Sequence, residues 1–245
     1  MSAKAFKRRQ KTIEGQSAQF YKSIKHRQKN RFEGELIAFE RLKAILQAQN
    51  GVCAETGIPF DYEALVASPD RINNDVGYVD GNIRFVTWRI NRMRKNMSIA
   101  RFHSTCMEVV NPNASRPVVM ADNMKRFKIM YYKCTQRQKE RKYEGLKCGE
   151  LITFERFKAI YQAQDGVCAE TGVPFDWASK DLIPSPDRID NDDGYVDGNI
   201  RFVTWRINNM RGDLSVDDFQ ATCMQVVHHN KQKFDAASAL LMLRG

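Results

Sequence analysis

The sequence lacks the long apolar segments that membrane insertion and export require. No run approaches the roughly 18 apolar residues of a membrane-spanning helix. The N-terminus, MSAKAFKRRQKTIEG, has no apolar core of a secretory signal, although its basic, acid-poor composition is also compatible with a mitochondrial transit peptide. We therefore expect a cytoplasmic protein that is not secreted and has no membrane partner.

Cysteine and histidine are also scarce. Six cysteines in 245 residues do not demand a disulfide framework, and without export we expect them to be reduced thiols. Cys53-Ala-Glu-Thr56 has neither a second cysteine nor a nearby histidine, so it does not complete a four-ligand zinc site. We expect no zinc.

Acidic residues are in deficit, and the imbalance is local. The chain has 39 Lys+Arg and 29 Asp+Glu, and its 42% apolar content excludes wholesale disorder. Residues 1–31 contain ten Lys/Arg and one acid, and residues 121–147 contain nine Lys/Arg and three acids. Such basic arms are typical of proteins that contact a phosphate backbone, although solvated basic helices have the same composition.

The chain is a tandem duplication. Residues 35–61 match residues 150–176 at 22 of 27 positions, and residues 68–110 match residues 185–227 at 31 of 43. The segment GYVDGNIRFVTWRIN occurs unchanged at 77–91 and 194–208. Two such units form a covalent pseudo-dimer. The predicted division is a basic arm at 1–34, a first domain at 35–112, a linker and second arm at 113–147, a second domain at 148–230 and a tail at 231–245.

Each repeat has an α+β pattern. In the first, apolar spacing predicts a helix over Glu35–Gln49, and VCAETGIPF then predicts a tight hairpin or knuckle. A strand around Arg71–Ile72, a loop over Asn73–Asn82 and a strand over Ile83–Val86 follow. Thr87 then caps a helix from Trp88 to about Asn96. Ser98 and Ser215 are predicted to cap the last helix of each repeat, the latter in a box with Asp218.

The centre of each repeat resembles the HNH endonucleases. Asp70-Arg71-Ile72, Asn82 and Asn91 follow the order DRI…GY…N…V…N of phage and homing-type members. The resemblance implies two ββα-metal domains with pseudo-two-fold symmetry, and a host-cell cytoplasm if a phage encodes the chain. It implies DNA cleavage with Mg²⁺ or Mn²⁺, whose hard oxygen ligands would be Asp70, Asn91, Asp187 and Asn208. Asn82 and Asn199 would hold the loop.

The general base of that family is missing here. Its histidine is replaced by Arg71 and Arg188, and a guanidinium cannot accept a proton from water. Either arginine could still have a catalytic role by stabilising a pentavalent phosphate. Possible replacement bases are Tyr78, Tyr195, Asp75 and Asp192.

Several alternatives follow from the same residues. Asp70 and Arg71 are also compatible with a structural pair, Asn82 with a turn, and the matched pairs Trp88/Trp205, Tyr78/Tyr195 and Met93/Met210 with the core. An HNH-derived protein without the base would bind nucleic acid without cutting it, and a third possibility is a structural component of a nucleoprotein particle. The C-terminal Leu240, Leu241 and Leu243 would dock a partner or close the second core. The predicted nucleic-acid-binding residues are Lys7, Arg8, Arg9, Lys11, Lys25, Arg27, Lys29, Arg31, Lys125, Arg126, Lys128, Arg137, Lys139, Arg141 and Lys142.

Overall fold

The fold is α+β and combines helices with two small antiparallel sheets. The computed structural model describes residues 17–29, 31–61, 65–112 and 123–242, with side chains to residue 236. Lys7, Arg8, Arg9 and Lys11 lie outside the described residues, as does most of the predicted linker. The side chains of the C-terminal leucines also lie outside them.

The first repeat contains six elements. Helix α1 covers residues 17–29. It is followed by α2 (Phe39–Ala48), β1 (Ala67–Arg71), β2 (Ile83–Thr87), α3 (Trp88–Arg94) and α4 (Ile99–Val110). A bridge between Val52 and Pro59 closes the predicted knuckle before β1.

The second repeat contains the same elements in the same order. They are α5 (Met124–Tyr143), α6 (Phe154–Ala163), β3 (Pro184–Arg188), β4 (Ile200–Thr204), α7 (Trp205–Arg211) and α8 (Val216–Met242). A bridge between Val167 and Pro174 forms the second knuckle. No helix in the described part of the chain combines the length and apolar character of a membrane span.

Each sheet is a two-stranded antiparallel hairpin. Asp70 pairs with Arg84 in the first sheet, and Asp187 pairs with Arg201 in the second. The first strand begins at Ala67, earlier than the predicted Arg71, and it includes Pro69. Proline is tolerated there because a strand with a single neighbour has an edge that needs no ladder donor.

The predicted helices are confirmed, with shorter bounds. Helix α2 starts at Phe39 because its N-cap residue, Ala38, is extended, and the backbone N–H of the preceding Ile37 donates to Tyr78 O at 2.9 Å. The Thr87 side chain accepts from Ile90 N, as predicted for the cap of α3. Helix α3 ends at Arg94, before the predicted Asn96, because Lys95 has a positive φ of 49°. Ser98 Oγ and Ser215 Oγ accept from Arg101 N and Asp218 N, which confirms both predicted caps.

Two contact-defined units divide the chain differently from its repeats. Unit 1 comprises Met1–Phe102 and His228–Gly245, and unit 2 comprises His103–Val227. The boundaries between the units fall within α4 and within α8, whereas the predicted bounds of 35–112 and 148–230 follow the sequence repeat and stay a prediction. In unit 1, Lys233 Nζ of α8 donates to Ala54 O of the first knuckle at 2.7 Å.

The hydrophobic core of each unit packs the arm helix against the sheet. In unit 1, Ile24 of α1 is fully buried with Leu42 and Leu46 of α2 and Phe85 of β2. In unit 2, Phe127 of α5 lies 5.0 Å from Phe157 and 5.7 Å from Phe202, ring centroid to ring centroid. Each basic arm is therefore an integral part of its unit.

Candidate functional site

The loop between the two strands of unit 1 is held by one buried asparagine. Asn82 Oδ1 accepts from Asn73 N at 2.8 Å, and Asn82 Nδ2 donates to Asn73 O and Gly77 O at 3.0 and 2.9 Å. Asn199 makes the matching bonds to Asp190 and Gly194 in unit 2. Both asparagines therefore fix the loop that follows the Asp-Arg dipeptide.

A buried glutamine joins each basic arm to this loop. Gln28 Oε1 accepts from Tyr78 N at 2.7 Å, and Gln138 Oε1 accepts from Tyr195 N at 2.8 Å. The contact requires glycine before the tyrosine, because a Cβ on Gly77 would lie 2.3 Å from Gln28 Oε1. The arm is thereby locked to the loop, and its arginines reach the tyrosine hydroxyls: Arg27 Nη1 donates to Tyr78 and Arg137 Nη1 to Tyr195.

Asp70 lies in a buried ion-pair network. The residue is 2% exposed. Its Oδ1 accepts from Arg94 Nη2 at 2.5 Å, and its Oδ2 accepts from Arg84 Nε at 3.0 Å. Arg84 also pairs with the buried Glu55 of the knuckle at 2.5 Å. Asp70 thus connects the sheet, α3 and the knuckle, and its pairing partners are Arg84 and Arg94, not Arg71.

Asn91 lies beside this carboxylate and is anchored to the first strand. Its Nδ2 donates to Ser68 Oγ at 2.9 Å and to Pro69 O at 3.1 Å. Asn208 makes the same two contacts, to Ser185 and Pro186. Because the Nδ2 of each asparagine donates to the serine and proline oxygens, its Oδ1 points away from them.

Arg71 is fixed in place by carbonyl oxygens and aromatic rings. Its Nη1 donates to Asn74 O at 2.7 Å and to Val76 O at 3.3 Å. Its guanidinium carbon lies 4.3 Å from the Phe32 ring centroid and 5.4 Å from that of Tyr78. Cation–π contact and carbonyl acceptors hold the charge in one position without neutralising it.

These groups line an open cleft of about 250 Å³ in unit 1. Four cationic side chains reach it, from Arg27, Arg31, Arg71 and Lys95. Asp70 is the one acid among its lining residues, which also include Phe32, Pro69, Asn74, Tyr78, Asn91 and Asn96. The cleft therefore combines fixed positive charge with several amide groups. These groups are suited to an oxyanion, whose oxygen atoms accept hydrogen bonds.

Unit 2 repeats the framework of the site with a different charge balance. Asp187 is held by Arg201 and Arg211 at 3.0 and 2.6 Å. Gly212 and Asp213 stand where the first repeat has Lys95 and Asn96. At these two positions, which line the first cleft, the second repeat therefore has one cation fewer and one carboxylate more.

Three further arginines of unit 2, Arg137, Arg141 and Arg188, contact other groups of the protein. The Arg188 guanidinium lies 5.6 Å from the Tyr195 ring centroid, and burial lowers its pKa from the usual value. The hydrogen bond to Tyr195 raises the pKa of Arg137. Arg141 Nη2 donates to Lys147 O and Asp192 O at 2.9 and 2.7 Å. A guanidinium stays protonated at neutral pH, so Arg137 and Arg188 keep their charge.

The structure brings together some of the predicted residues and separates others. Asp70, Arg71 and Asn91 meet in one cleft with Arg27 and Arg31 of the arm. Asp75 and Asp192, predicted as possible bases, are exposed in the loops. Arg126 of the second arm donates to Trp177 O. The lysines of α1 and α5 that were predicted to bind nucleic acid are exposed; they are Lys25, Lys29, Lys125, Lys128, Lys139 and Lys142.

Sequence reasoning missed four groups of this site. Gln28, Arg84 and Arg94 hold the motif in place, and each is identical in the other repeat, which was the available signal. Lys95 differs between the repeats, and only the structure places it in the cleft. Among the described residues, no three His, Cys, Asp or Glu side chains cluster as metal ligands would.

Comparisons with known proteins give one distant relative. No family model matches the chain, and no solved structure matches it. It is 22% identical over 178 residues to an uncharacterized protein of Acanthamoeba polyphaga mimivirus. The alignment covers 70% of this chain and 31% of that protein, so this chain spans about a third of the relative's length.

Proposed function

We propose that this protein binds the phosphodiester backbone of a nucleic acid, DNA in the first instance, in the cleft of unit 1. One observation carries the proposal: four cationic side chains converge on a cleft whose single lining carboxylate is already paired with Arg84 and Arg94. An anionic ligand is therefore favoured at this position, and Arg71 is positioned before the ligand arrives.

The backbone conformation of Lys95 supports a ligand-binding role. Its φ of 49° lies in a region that side-chain-bearing residues rarely adopt, and the matching residue of the second repeat is glycine. Such strain costs on the order of 1 kcal/mol or more, and it is common at functional sites. A lysine retained there adds charge to the cleft at the expense of stability.

The basic arms favour a polymer over a small anion. Helix α1, which contributes Arg27 to the cleft, also has the exposed Lys25 and Lys29, and it is locked to the site through Gln28. Several cations on one helix, in addition to those of the cleft, suit a ligand with many phosphates. Release of counterions from such a ligand would make the affinity strongly dependent on salt.

Metal-dependent cleavage by an HNH-type site is the second candidate. It is favoured by the meeting of Asp70, Arg71 and Asn91 in one cleft. The donor set as folded does not fit a divalent cation, because both Asp70 oxygens accept from arginines that are 14% and 1% exposed. Two guanidiniums at hydrogen-bond distance from this carboxylate repel a further cation. We therefore favour binding without cleavage.

A plasmid assay separates the two candidates. Supercoiled plasmid is incubated with the protein in Mg²⁺ or Mn²⁺, and in EDTA, and analysed for retardation and for nicking. We expect retardation that weakens with salt and no nicking. Metal-dependent nicking would establish the second candidate, and the absence of retardation at low salt of both the plasmid and a single DNA strand would overturn the proposal.

Matched variants then test the cleft itself. Arg71→Gln and Lys95→Gln should each weaken binding on every sequence and lower the salt slope by about one. Arg41→Gln is the control, because Arg41 is exposed and pairs with Asp80 outside the cleft. An unchanged slope in both cleft variants would remove the cleft from the interface.

A further inference from the structure

Trp88 is the most exposed tryptophan position of the duplicated motif. Its side chain was expected in the core, and that expectation is wrong: Trp88 is 54% exposed and Trp205 is 37% exposed. The same expectation is confirmed for Tyr78, Tyr195, Met93 and Met210, all at 5% or less. A large aromatic side chain left in solvent is characteristic of binding surfaces.

The Trp88 ring is held on a rigid support. It is the first residue of α3, whose start is fixed by the Thr87 cap and by the bond from Trp88 N to Val66 O at 2.7 Å. The Arg92 guanidinium carbon lies 4.6 Å from the ring centroid. Ile90 and Met93 on the same helix are buried. A cation therefore lies over one aromatic ring at the surface of a well-packed helix.

The helix places this ring beside the proposed phosphate site. Residues three, four and seven positions apart share one helix face, and the stripe that starts at Trp88 continues through Asn91 and Arg92 to Lys95. Asn91 and Lys95 both line the cleft. The axial rise from Trp88 to Asn91 is about 4.5 Å, against roughly 3.4 Å per nucleotide along one strand.

We infer that Trp88 is a stacking platform for an unpaired base of the strand whose phosphate occupies the cleft. The inference rests on the proposed function and specifies its substrate class: single-stranded or locally unpaired nucleic acid. Stacking on an aromatic ring needs a free base face, which a base inside a duplex does not offer. The Arg92 cation matches the negative charge of the same strand.

The second repeat supplies a matched control. Trp205 also starts its helix, but it is less exposed, and Asn209 and Gly212 replace Arg92 and Lys95. Trp205 therefore lacks both the stacked cation and the adjacent lysine. A general effect of removing a helix-starting tryptophan is expected equally at both positions, whereas loss of stacking is expected at Trp88 alone.

The test uses the full chain and three labelled probes of about 16 nucleotides. The probes are an oligothymidylate strand, a strand of the same length with abasic residues, and a duplex, and the readout is fluorescence anisotropy. For the wild-type chain we expect tighter binding to oligothymidylate than to the abasic strand. Trp88→Ala should weaken oligothymidylate binding about fivefold to a hundredfold and leave abasic binding unchanged. Trp205→Ala should change neither, and Trp88→Phe should retain most of the affinity.

Two results would overturn the inference and leave backbone binding intact. One is equal wild-type affinity for the oligothymidylate and abasic strands. The other is an equal loss on both strands in Trp88→Ala, which would indicate a structural role for the tryptophan. Failure to bind any of the three probes would instead overturn the proposed function itself.

Discussion

The two repeats have diverged in their cores and remained identical in their buried ionic networks. Leu42 and Leu46 of the first core are Phe157 and Tyr161 in the second, so two aliphatic positions of one core are aromatic in the other. Glu55, Arg84, Asp70 and Arg94 recur as Glu170, Arg201, Asp187 and Arg211 with the same pairing. Apolar volume is exchangeable when neighbours adjust together, whereas a buried charge network requires every partner.

Two positions that line the first cleft differ in charge between the repeats. The first repeat has Lys95 and Asn96 there, and the second has Gly212 and Asp213. The second also has Asp193 in place of Val76, and the Gly194 backbone N–H and the Lys147 ammonium lower the pKa of that carboxyl. The framework is therefore common to both repeats, and we propose that binding of the anionic ligand is concentrated in the first.

The largest effect is expected from removing the central carboxylate of either network. Asp70→Ala and Asp187→Ala each remove a buried carboxylate that two arginines share, one of them fully buried, and each should lower the free energy of unfolding by about 3–5 kcal/mol. Urea denaturation followed by circular dichroism measures the loss.

Exposed ion pairs provide the controls for that comparison. Asp80→Ala and Asp197→Ala remove the partners of Arg41 and Arg156, whose side chains are 57% and 56% exposed, and should cost less than about 1 kcal/mol. A loss below 1 kcal/mol at Asp70 with a large loss at Asp187 would contradict the equivalence of the two frameworks.

A smaller and again equal effect is expected from the glutamines that lock the arms. Gln28→Ala and Gln138→Ala leave the backbone N–H of Tyr78 or Tyr195 without its buried acceptor, at a cost of about 1–3 kcal/mol each. Denaturation measures the cost, and amide hydrogen exchange at the two tyrosines localises it. Unchanged protection of both amides would show that the arms are not held through these bonds.

Exchanging the residues that differ should separate the repeats. Lys95→Gly removes a cation from the first cleft and relieves a positive φ, so binding should weaken while stability rises by about 1 kcal/mol. Gly212→Lys with Asp213→Asn should do the reverse in unit 2. Oligonucleotide titrations across a salt series, paired with thermal melts, measure both quantities. Binding and stability changing in the same direction would contradict this assignment.

The smallest effect concerns pH and unit 1 alone. His229 of α8 packs against the first knuckle, where a Cβ on Gly57 would lie 2.6 Å from its ring. Burial lowers the pKa of His229 below its usual 6.5, and the nearby Lys233 acts in the same direction, although Glu55 opposes it. The folded state therefore favours the neutral ring, whose stabilisation is complete above pH 6.5 and is lost as the pH falls below it.

Unfolding free energies at about pH 7.5 and pH 5.5 test this sign. The wild type should lose more stability on acidification than His229→Gln does, since glutamine does not titrate. His228→Gln is the neighbouring control, because His228 is exposed. Identical losses in the wild type and His229→Gln would show that the ring does not contribute.

Periodicity and turn chemistry were sufficient for the elements of each repeat. The strand–loop–strand–helix order, the knuckle and the Thr87 cap follow from local residues alone, because each depends on neighbours within a few positions. Helix ends were less predictable. Lys95 ends α3 with a positive φ that a lysine does not signal in a sequence.

The sequence was sufficient to predict which residues belong to the site, but not which residues they contact. The motif drew attention to Asp70 and Asn91, but the pairing of Asp70 with Arg84 and Arg94 depends on strand register and on the packing of α3. Metal ligation by Asp70 stays a prediction from the resemblance. Trp88 shows the opposite difficulty, since tryptophan is usually buried and no local pattern signals its exposure.

The split membership of unit 1 has a consequence for the order in which the protein is made. Lys233 and His229, which contact the first knuckle, are translated about 130 residues after Phe102, on a ribosome that adds roughly 5–20 residues per second. The first knuckle is therefore synthesised before the part of α8 that contacts it. Unit 2, in contrast, is contiguous in the chain. Synthesis of unit 1 begins first, but its last residues are translated after those of unit 2.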